Sequence, residues 1–206
     1  MLDMRRLILF SSFAFNPNIG EVIKKIIPEE ISDKHLVFIP ANGIHNTHTE
    51  ILDYWAMVAK NHQIGYTCVD NSPDQPPDDL KFAKQQIQKA NIVLISGGDT
   101  YPMLSNFQKS GLDQAIIAYW RREDVVLSGF SAGALLLTPT INVNKVRLES
   151  YAKFSEEELK ALHLVDFTIF PHYEEKKHKT MLDQYRSQYS TEIRPLPNDT
   201  HIVIEK

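Results

Sequence analysis

Short, continuous apolar runs recur along the first two-thirds of the chain, and each is followed by a turn and by apolar residues at helical spacing. Such runs are typical of strands that are covered on both faces. Because the strands alternate with helices, the pattern predicts βαβ units and a doubly wound, mostly parallel α/β sheet flanked by helices. The predicted strands are 7–10, 36–39, 66–69, 92–95 and one that begins at Val125.

Apolar residues spaced three and four apart predict the helices between these strands. They are expected at 19–27, 47–62, 80–90, 102–107, 112–120 and 134–137. Thr47 and Glu50 have the spacing of a capping box, which places the start of the second helix at Thr47. The segment 13–18 contains a proline and is expected to be a loop.

Beyond Pro139 the pattern is less regular. The alternating residues of 141–148 suggest an extended segment, and Ser155 with Glu158 in capping-box spacing suggests a short helix over 155–162. No internal repeat or linker divides the chain, so we expect one domain over 1–206. The remaining predicted elements are a strand at 167–170, a helix at 175–189, and strands at 193–196 and 201–204.

The composition restricts the function. Of the 206 residues, 43% are hydrophobic and 23% charged, as in a soluble globular protein, and the net charge of −4 disfavours nucleic acids and acidic membranes as partners. No apolar run is long enough to span a membrane, and we interpret 7–10 as a strand rather than part of an export signal. Cys68 is the single cysteine, which excludes an internal disulfide and favours a reducing, cytoplasmic location.

The candidate chemistry centres on Gly129-Phe130-Ser131-Ala132-Gly133, which fits the pattern G-x-S-x-G between a predicted strand and helix. A nucleophilic serine sits on a strained elbow of this kind, because glycines remove the side chains that would clash there. The alternative is an ordinary glycine-rich turn whose serine caps the helix. Other residues must decide between the two interpretations.

A nucleophilic serine needs a base, and His172 is the strongest candidate among the eight histidines because it follows a buried strand. The tandem Gly97-Gly98 and the N–H of Ala132 would supply two oxyanion donors. The residue that orients the histidine is one of four candidates: Asp199, Asn198, Glu174 and Glu175.

The H-x-x-H pair of His45 and His48 lies in a polar loop without further ligands. A zinc site needs three or four such ligands at suitable spacing. We therefore expect no metal and no cofactor.

Three motifs resemble those of the dipeptidase E (aspartyl dipeptidase) and cyanophycinase family of serine peptidases, peptidase family S51. The motifs, in order, are Gly97-Gly98-Asp99-Thr100, the stretch Gly129 to Ala134, and Phe170-Pro171-His172-Tyr173. The likeness extends from the first strand to Leu196-Pro197-Asn198-Asp199. It favours the dipeptidase branch, because Thr100 stands where cyanophycinases tend to carry glutamine.

The resemblance implies a fold related to class I glutamine amidotransferases. It implies Ser131 as nucleophile, His172 as base, and Gly98 and Ala132 as oxyanion donors. The loops that support them contain Gly97, Asp99, Gly129 and Gly133.

Two positions depart from the family pattern. The acidic residue expected after Leu-Pro is here Asn198 followed by Asp199, and we choose Asp199 because a carboxylate stabilises the imidazolium formed during attack. The arginine that faces the acidic substrate side chain in aspartyl dipeptidases has no clear counterpart, and Met181 falls nearest to it.

These observations predict a cytoplasmic serine exopeptidase that hydrolyses short peptides through an acyl-enzyme. The alternatives are a non-catalytic binding or regulatory protein on the same scaffold, and another amidohydrolase or esterase. We expect no strict preference for aspartate unless a cation after His172 points into the pocket. The candidate cations are Lys176, Lys177, Lys179 and Arg186.

Overall fold

The computed structural model describes residues 5–12, 19–29, 33–41 and 43–206, so the predicted loop at 13–18 lies outside the described residues. Every strand expected from the sequence is present within a residue or two of its predicted bounds. The strands are β1 Arg6–Phe10, β2 His35–Ile39, β3 Gly65–Cys68, β4 Ile92–Ile95, β5 Val126–Phe130, β6 Phe167–Pro171, β7 Glu192–Leu196 and β8 His201–Glu205.

Six of these strands form one sheet in the order β3-β2-β4-β5-β1-β8. All neighbours in it are parallel except β1 and β8. In the parallel register Phe10 lies opposite Phe130, so β1 and β5 end side by side. Strands β6 and β7 form a separate parallel pair. The carboxyl ends of parallel strands are where α/β proteins bind ligands.

Helices cover both faces of the central sheet. Alternate residues of β1 belong to two different buried clusters, Leu7 and Leu9 to one and Ile8 and Phe10 to the other. The predicted α/β class is thereby confirmed. Within the described ranges, none of the helices is long and apolar enough to cross a membrane. The helices are α1 Ile19–Ile26, α2 Thr49–Asn61, α3 Pro77–Lys89, α4 Thr100–Ser110, α5 Leu112–Trp120, α6 Ala132–Leu136, α7 Asn144–Arg147 and α8 Glu175–Gln188.

The start of α2 differs from the capping-box prediction. The helix begins at Thr49, and His48 occupies the N-cap position without a side-chain cap. The Thr47 hydroxyl instead donates to the carbonyl of Gly43, 2.8 Å away, across a short 3₁₀ turn. The prediction of a Thr47 cap was therefore wrong, because the hydroxyl closes the preceding turn.

The prediction of an extended segment at 141–148 was also wrong. The N–H of Asn144 donates to Ile141 at 3.1 Å, the N–H of Leu148 donates to Asn144 at 2.8 Å, and the short helix α7 lies between them. Ile141 and Val143 are fully buried. Their β-branched side chains fill the core without a partner strand, so tertiary packing overrides their strand propensity.

The segment 155–162 contains the predicted side-chain contacts but not the predicted helix. The N–H of Ser155 donates to the Glu158 carboxylate at 2.8 Å, and the N–H of Glu158 donates to the Ser155 hydroxyl at 3.3 Å. The chain then leaves the turn, because the carbonyl of Leu159 accepts a hydrogen bond from the N–H of Ile141 at 2.9 Å. Pairing with this earlier segment prevents the helix from continuing.

Candidate active site

Ser131 occupies a strained turn between β5 and α6. Its backbone has φ 49° and ψ −109°, a conformation that L-residues rarely adopt. The turn is fixed from both sides, because the N–H of Ser131 donates to Phe10 at 2.9 Å and its carbonyl accepts from Leu135 at 3.0 Å. The structure thus contains the strand, elbow and helix that a nucleophilic serine requires.

Two glycines permit this turn. A Cβ on Gly129 would lie 2.5 Å from the carbonyl carbon of Gly133, and a Cβ on Gly133 would lie 2.5 Å from the carbonyl oxygen of Ile95. Both clashes are with backbone atoms, which cannot move aside as a flexible side chain can. The elbow therefore needs glycine at both positions.

His172 follows β6 and reaches the serine. Its Nε2 lies 2.7 Å from the Ser131 hydroxyl oxygen. The backbone of His172 has a positive φ of 58°, and its N–H donates to the hydroxyl of the fully buried Ser11 at 2.7 Å. The end of β1 therefore holds both partners, Ser131 through Phe10 and His172 through Ser11. Ser11 was not predicted from the sequence, since a serine after a strand carries no local signal of this role.

In the structure Asn198, and not the predicted Asp199, contacts the His172 ring. The Asn198 amide oxygen lies 2.5 Å from His172 Nδ1. A turn closed by the Thr200 hydroxyl and the Pro197 carbonyl, 2.8 Å apart, directs Asn198 inward and leaves Asp199 exposed. An amide oxygen here accepts a hydrogen bond from Nδ1–H, and in that tautomer the Nε2 lone pair faces the Ser131 hydroxyl.

The other two candidates for the orienting role are engaged elsewhere. Glu174 pairs with Lys177 at 2.7 Å, and Glu175 accepts a hydrogen bond from the Tyr173 hydroxyl at 2.6 Å. Both glutamates are exposed. Neither is the partner of His172 in this structure.

The loop from Gly97 to Thr100 packs against the elbow. A Cβ on Gly97 would lie 3.2 Å from the Ser131 Cβ, so the loop and the serine are in close contact. The Asp99 carboxylate accepts a hydrogen bond from the Tyr151 hydroxyl at 3.4 Å, and that hydroxyl accepts the N–H of Tyr101 at 2.9 Å. The predicted supporting loop therefore lies beside Ser131.

These residues surround a cavity of about 310 Å³. Its lining combines the elbow, the Gly98 loop and the exit of β6 on one side with the region of α7 on the other. The lining residues are Gly98, Asp99, Thr100, Ser131, Leu135, Asn144, Arg147, Leu148, Ser150, Tyr151, Pro171 and His172.

The side of α7 contributes two residues that the sequence analysis missed. The Arg147 guanidinium stacks over the ring of Phe170 at 5.0 Å, and burial lowers its pKa. Asn144 is 3% exposed, and its buried Nδ2 has no hydrogen-bond acceptor in the part of the chain that the structure describes. The segment was expected to be extended, so nothing in the sequence pattern placed these two side chains together one helical turn apart.

The cations on α8 do not line the cavity. Lys177 pairs with Glu174 at 2.7 Å, and Arg186 lies 3.9 Å from Asp183. Lys179 also has acidic neighbours on its own helix, and Lys176 is exposed. These side chains form a solvated helix face.

No metal centre is formed by the part of the chain that the structure describes. His45 lies in a 3₁₀ turn and His48 precedes α2. Within the described ranges, no three His, Cys, Asp or Glu side chains are grouped as a metal ion would require.

Comparison with known proteins identifies the family of this chain. Residues 7–206 match Peptidase family S51. The chain belongs to this family. An uncharacterized peptidase of Pasteurella multocida is 25% identical over 98% of this chain and 93% of its own. Peptidase E of Salmonella typhi is 29% identical over 76% of this chain and 63% of its own.

Solved structures give the same fold. A crystal structure of a Listeria monocytogenes protein superposes with a TM-score of 0.72 at 21% identity and covers 98% of both chains. The crystal structure of a peptidase from an acI-B1 actinobacterium gives a TM-score of 0.70 at 18% identity, over 98% of this chain and 84% of that one. At these identities the likeness establishes the fold, and family S51 membership makes the chain a peptidase.

Proposed function

We propose that this family S51 peptidase is a serine exopeptidase that hydrolyses short peptides through an acyl-enzyme. The observation that carries the proposal is the contact of 2.7 Å between the Ser131 hydroxyl and His172 Nε2. The strained elbow at Ser131 supports it, because strain of this kind is concentrated at functional sites. A serine that merely capped α6 would not need a histidine partner, and Ser131 makes no side-chain cap.

In the proposed reaction, the Ser131 oxygen attacks the scissile carbonyl carbon while His172 Nε2 accepts the hydroxyl proton. The oxyanion of the tetrahedral intermediate lies between the N–H groups of Gly98 and Ala132. Cleavage of the C–N bond leaves the acyl group on Ser131, and His172 gives its proton to the departing amine. Water then attacks the ester, with His172 again as the base.

Asn198 has the role of an orienting group in this scheme. Its amide oxygen accepts the Nδ1 proton of His172 and so selects the tautomer that the reaction needs. The arrangement is comparable to the Cys-His-Asn sites of papain-like proteases. An amide is neutral, so it stabilises the imidazolium less than a carboxylate would.

The size of the cavity supports short substrates. Its volume of about 310 Å³ lies at the small end of the range for small-molecule sites. A dipeptide or tripeptide suits such a space, whereas an extended protein segment would need a groove. Hydrolysis of short peptides therefore fits better than general proteolysis.

The alternatives make different predictions. A non-catalytic binding protein has no need for a base within hydrogen-bond distance of the serine, so the 2.7 Å contact favours an enzyme. An esterase or another amidohydrolase would use the same geometry, because the site serves any acyl transfer. Substrate profiling separates these last two from a peptidase.

Labelling with a fluorophosphonate probe tests the nucleophile. We expect the parent protein to be labelled at Ser131 and the Ser131→Ala variant to remain unlabelled, as shown by mass spectrometry of the modified peptide. Ser150→Ala is the matched control, because Ser150 lines the same cavity without contacting His172. Equal labelling of Ser131→Ala and the parent would falsify the assignment. Separately, incubation of the parent with a dipeptide library identifies which peptide bond is cleaved.

A further inference from the structure

Arg147 places a positive charge in the wall of the cavity. Among the described residues, no carboxylate lies within ion-pair distance of its guanidinium. Its contact is the stack over Phe170, which fixes the plane of the group. Arg186 and Arg194, by comparison, have acidic neighbours. A half-buried arginine beside the nucleophile therefore keeps its hydrogen-bonding capacity for something else.

Asn144 provides a second, independent observation on the same wall. The residue is 3% exposed and its Nδ2 has no acceptor among the described residues, although buried donors are nearly always paired in native proteins. Asn144 and Arg147 lie one helical turn apart on α7, and both line the cavity. Both residues thus belong to one wall, and among the described residues neither the amide Nδ2 nor the guanidinium has an acceptor.

We propose that Asn144 and Arg147 bind a carboxylate group of the substrate. A guanidinium presents paired N–H groups that match the two oxygens of a carboxylate, and an amide Nδ2 adds a further donor. Asp99, the acid in the cavity lining, accepts a hydrogen bond from Tyr151. The assignment of the ligand as a peptide rests on the proposed function.

A carboxylate in a short peptide has two sources. It belongs either to an acidic side chain or to the free carboxyl end of the peptide, and both offer the same pair of oxygens. The expectation of no strict preference for aspartate considered only the cations after His172, which lie on α8 and do not line the cavity. The cation that lines the cavity comes instead from α7.

Binding to a protein without turnover tests the proposal. In the Ser131→Ala background, calorimetry gives the Kd of Asp-Leu, Asn-Leu, and the amides Asp-Leu-NH₂ and Asn-Leu-NH₂. We expect loss of the carboxylate that contacts Arg147 to weaken binding about 30-fold or more, because the buried cation is left unpaired. If Asn-Leu binds more weakly than Asp-Leu, the carboxylate belongs to an acidic side chain. If the amides bind more weakly than the free dipeptides, it is the free carboxyl end. Equal affinity for all four ligands overturns the proposal.

Variants then assign the effect to these residues. Arg147→Met should remove the preference for the carboxylate ligand, and Arg147→Lys should retain part of it because the charge stays but the paired donors are lost. Asn144→Asp preserves the size of the side chain and places a negative charge in the pocket, so it should weaken binding of the carboxylate ligand more than that of its neutral analogue. An undiminished preference in all three variants rules the proposal out.

Arg194→Met is the matched control. Arg194 also stacks on a phenylalanine of β6, with its guanidinium 3.6 Å from the Phe167 ring, but it does not line the cavity. We expect the Arg194→Met variant to prefer the carboxylate ligand over its neutral analogue as strongly as the parent does. If the parent fails to react with fluorophosphonate yet binds carboxylates through Arg147, the serine-peptidase proposal fails and this one stands. If the parent hydrolyses peptides at equal rates with and without their carboxylates, the serine-peptidase proposal stands and the carboxylate site fails.

Discussion

The two walls of the candidate site are built in different ways. The elbow wall, formed by 129–133 with His172 and Asn198, lies at the ends of strands and is fixed by backbone sterics and short hydrogen bonds. The α7 wall, formed by 142–151, belongs to an irregular segment. Side chains from distant parts of the chain hold it, as when the Tyr185 hydroxyl donates to Asn142 at 2.8 Å.

This difference separates two tasks of a peptidase. The atoms proposed to carry the reaction lie on rigid strand ends, whereas the residues proposed to recognise the substrate lie on a segment held by side-chain contacts. Loops and irregular segments accept sequence change more readily than the elements that support them. Specificity in this chain can therefore change without disturbing the elbow.

The largest expected effect comes from breaking the elbow wall. Gly129→Ala would bring a Cβ to 2.5 Å from backbone atoms of Gly133. We expect the free energy of unfolding to fall by about 3 kcal/mol or more, since neither backbone can yield. Gly20→Ala is the control, because a Cβ at this helical position meets nothing within 4 Å. It should be neutral or stabilising by up to about 1 kcal/mol. Urea denaturation measures both, and similar values for the two variants would contradict the steric argument.

The next effect concerns the orienting residue. Asn198→Ala should lower kcat/KM for a cleaved dipeptide by about 10-fold to 100-fold, because His172 loses the acceptor that selects its tautomer. Asp199→Ala changes an exposed residue and should stay within about 2-fold of the parent. Asn198→Asp should reach at least the parental activity, since a carboxylate also stabilises the imidazolium. A larger loss in Asp199→Ala than in Asn198→Ala would return the role to the aspartate.

The smallest expected effect is a pH dependence of the stability of the α7 wall, which depends on the Glu156 carboxyl. Burial raises the pKa of the Glu156 carboxyl, but hydrogen bonds from Lys145 and Asn142 outweigh burial and hold that pKa below its ordinary value. A lowered pKa adds stability above the ordinary value of 4.5, and this stability is lost as the pH falls through the lowered pKa. The gain should be below about 1 kcal/mol, because the carboxylate is partly exposed.

Amide hydrogen exchange, followed as the pH falls below 4.5, measures the loss of stability at the α7 wall. We expect acid to loosen the α7 wall before the elbow wall, and Glu156→Gln to remove that difference. Glu157→Gln is the control, since Glu157 pairs with Lys160 on the surface. Simultaneous loosening of both walls in the parent would show that they form one cooperative unit.

The same comparison explains what the sequence could predict. Strands such as Ile92–Ile95 are buried on both faces, so their apolar runs are visible without any tertiary information. Ser131 was predicted from the G-x-S-x-G pattern at the end of such a strand, and His172 was predicted because it follows one. The contact of Asn198 depended on the direction of one turn, and neighbouring turn residues point in different directions. Asp199 was chosen because a carboxylate stabilises an imidazolium better than an amide does, and this chemical argument carries no information about the direction of the turn.

The α7 wall was not predictable by the same means. Ile141 and Val143 have the alternation of a strand, and only packing against distant residues turns them into a helix entry. The roles of Asn144 and Arg147 follow from that packing. A local pattern carries no information about which cavity a side chain will reach.

The pairing of β8 with β1 also sets the time at which the site is completed during synthesis. Ribosomes release the chain in sequence order, so the elbow at Ser131 emerges well before His172 and Asn198. The turn that carries Asn198 is tied to the first strand by the Ser11 N–H, which donates to Thr200 at 3.2 Å, and His201 then pairs opposite Phe10. A nascent chain therefore contains Ser131 before His172 and Asn198, and the site proposed for it is complete only once β8 has paired with β1.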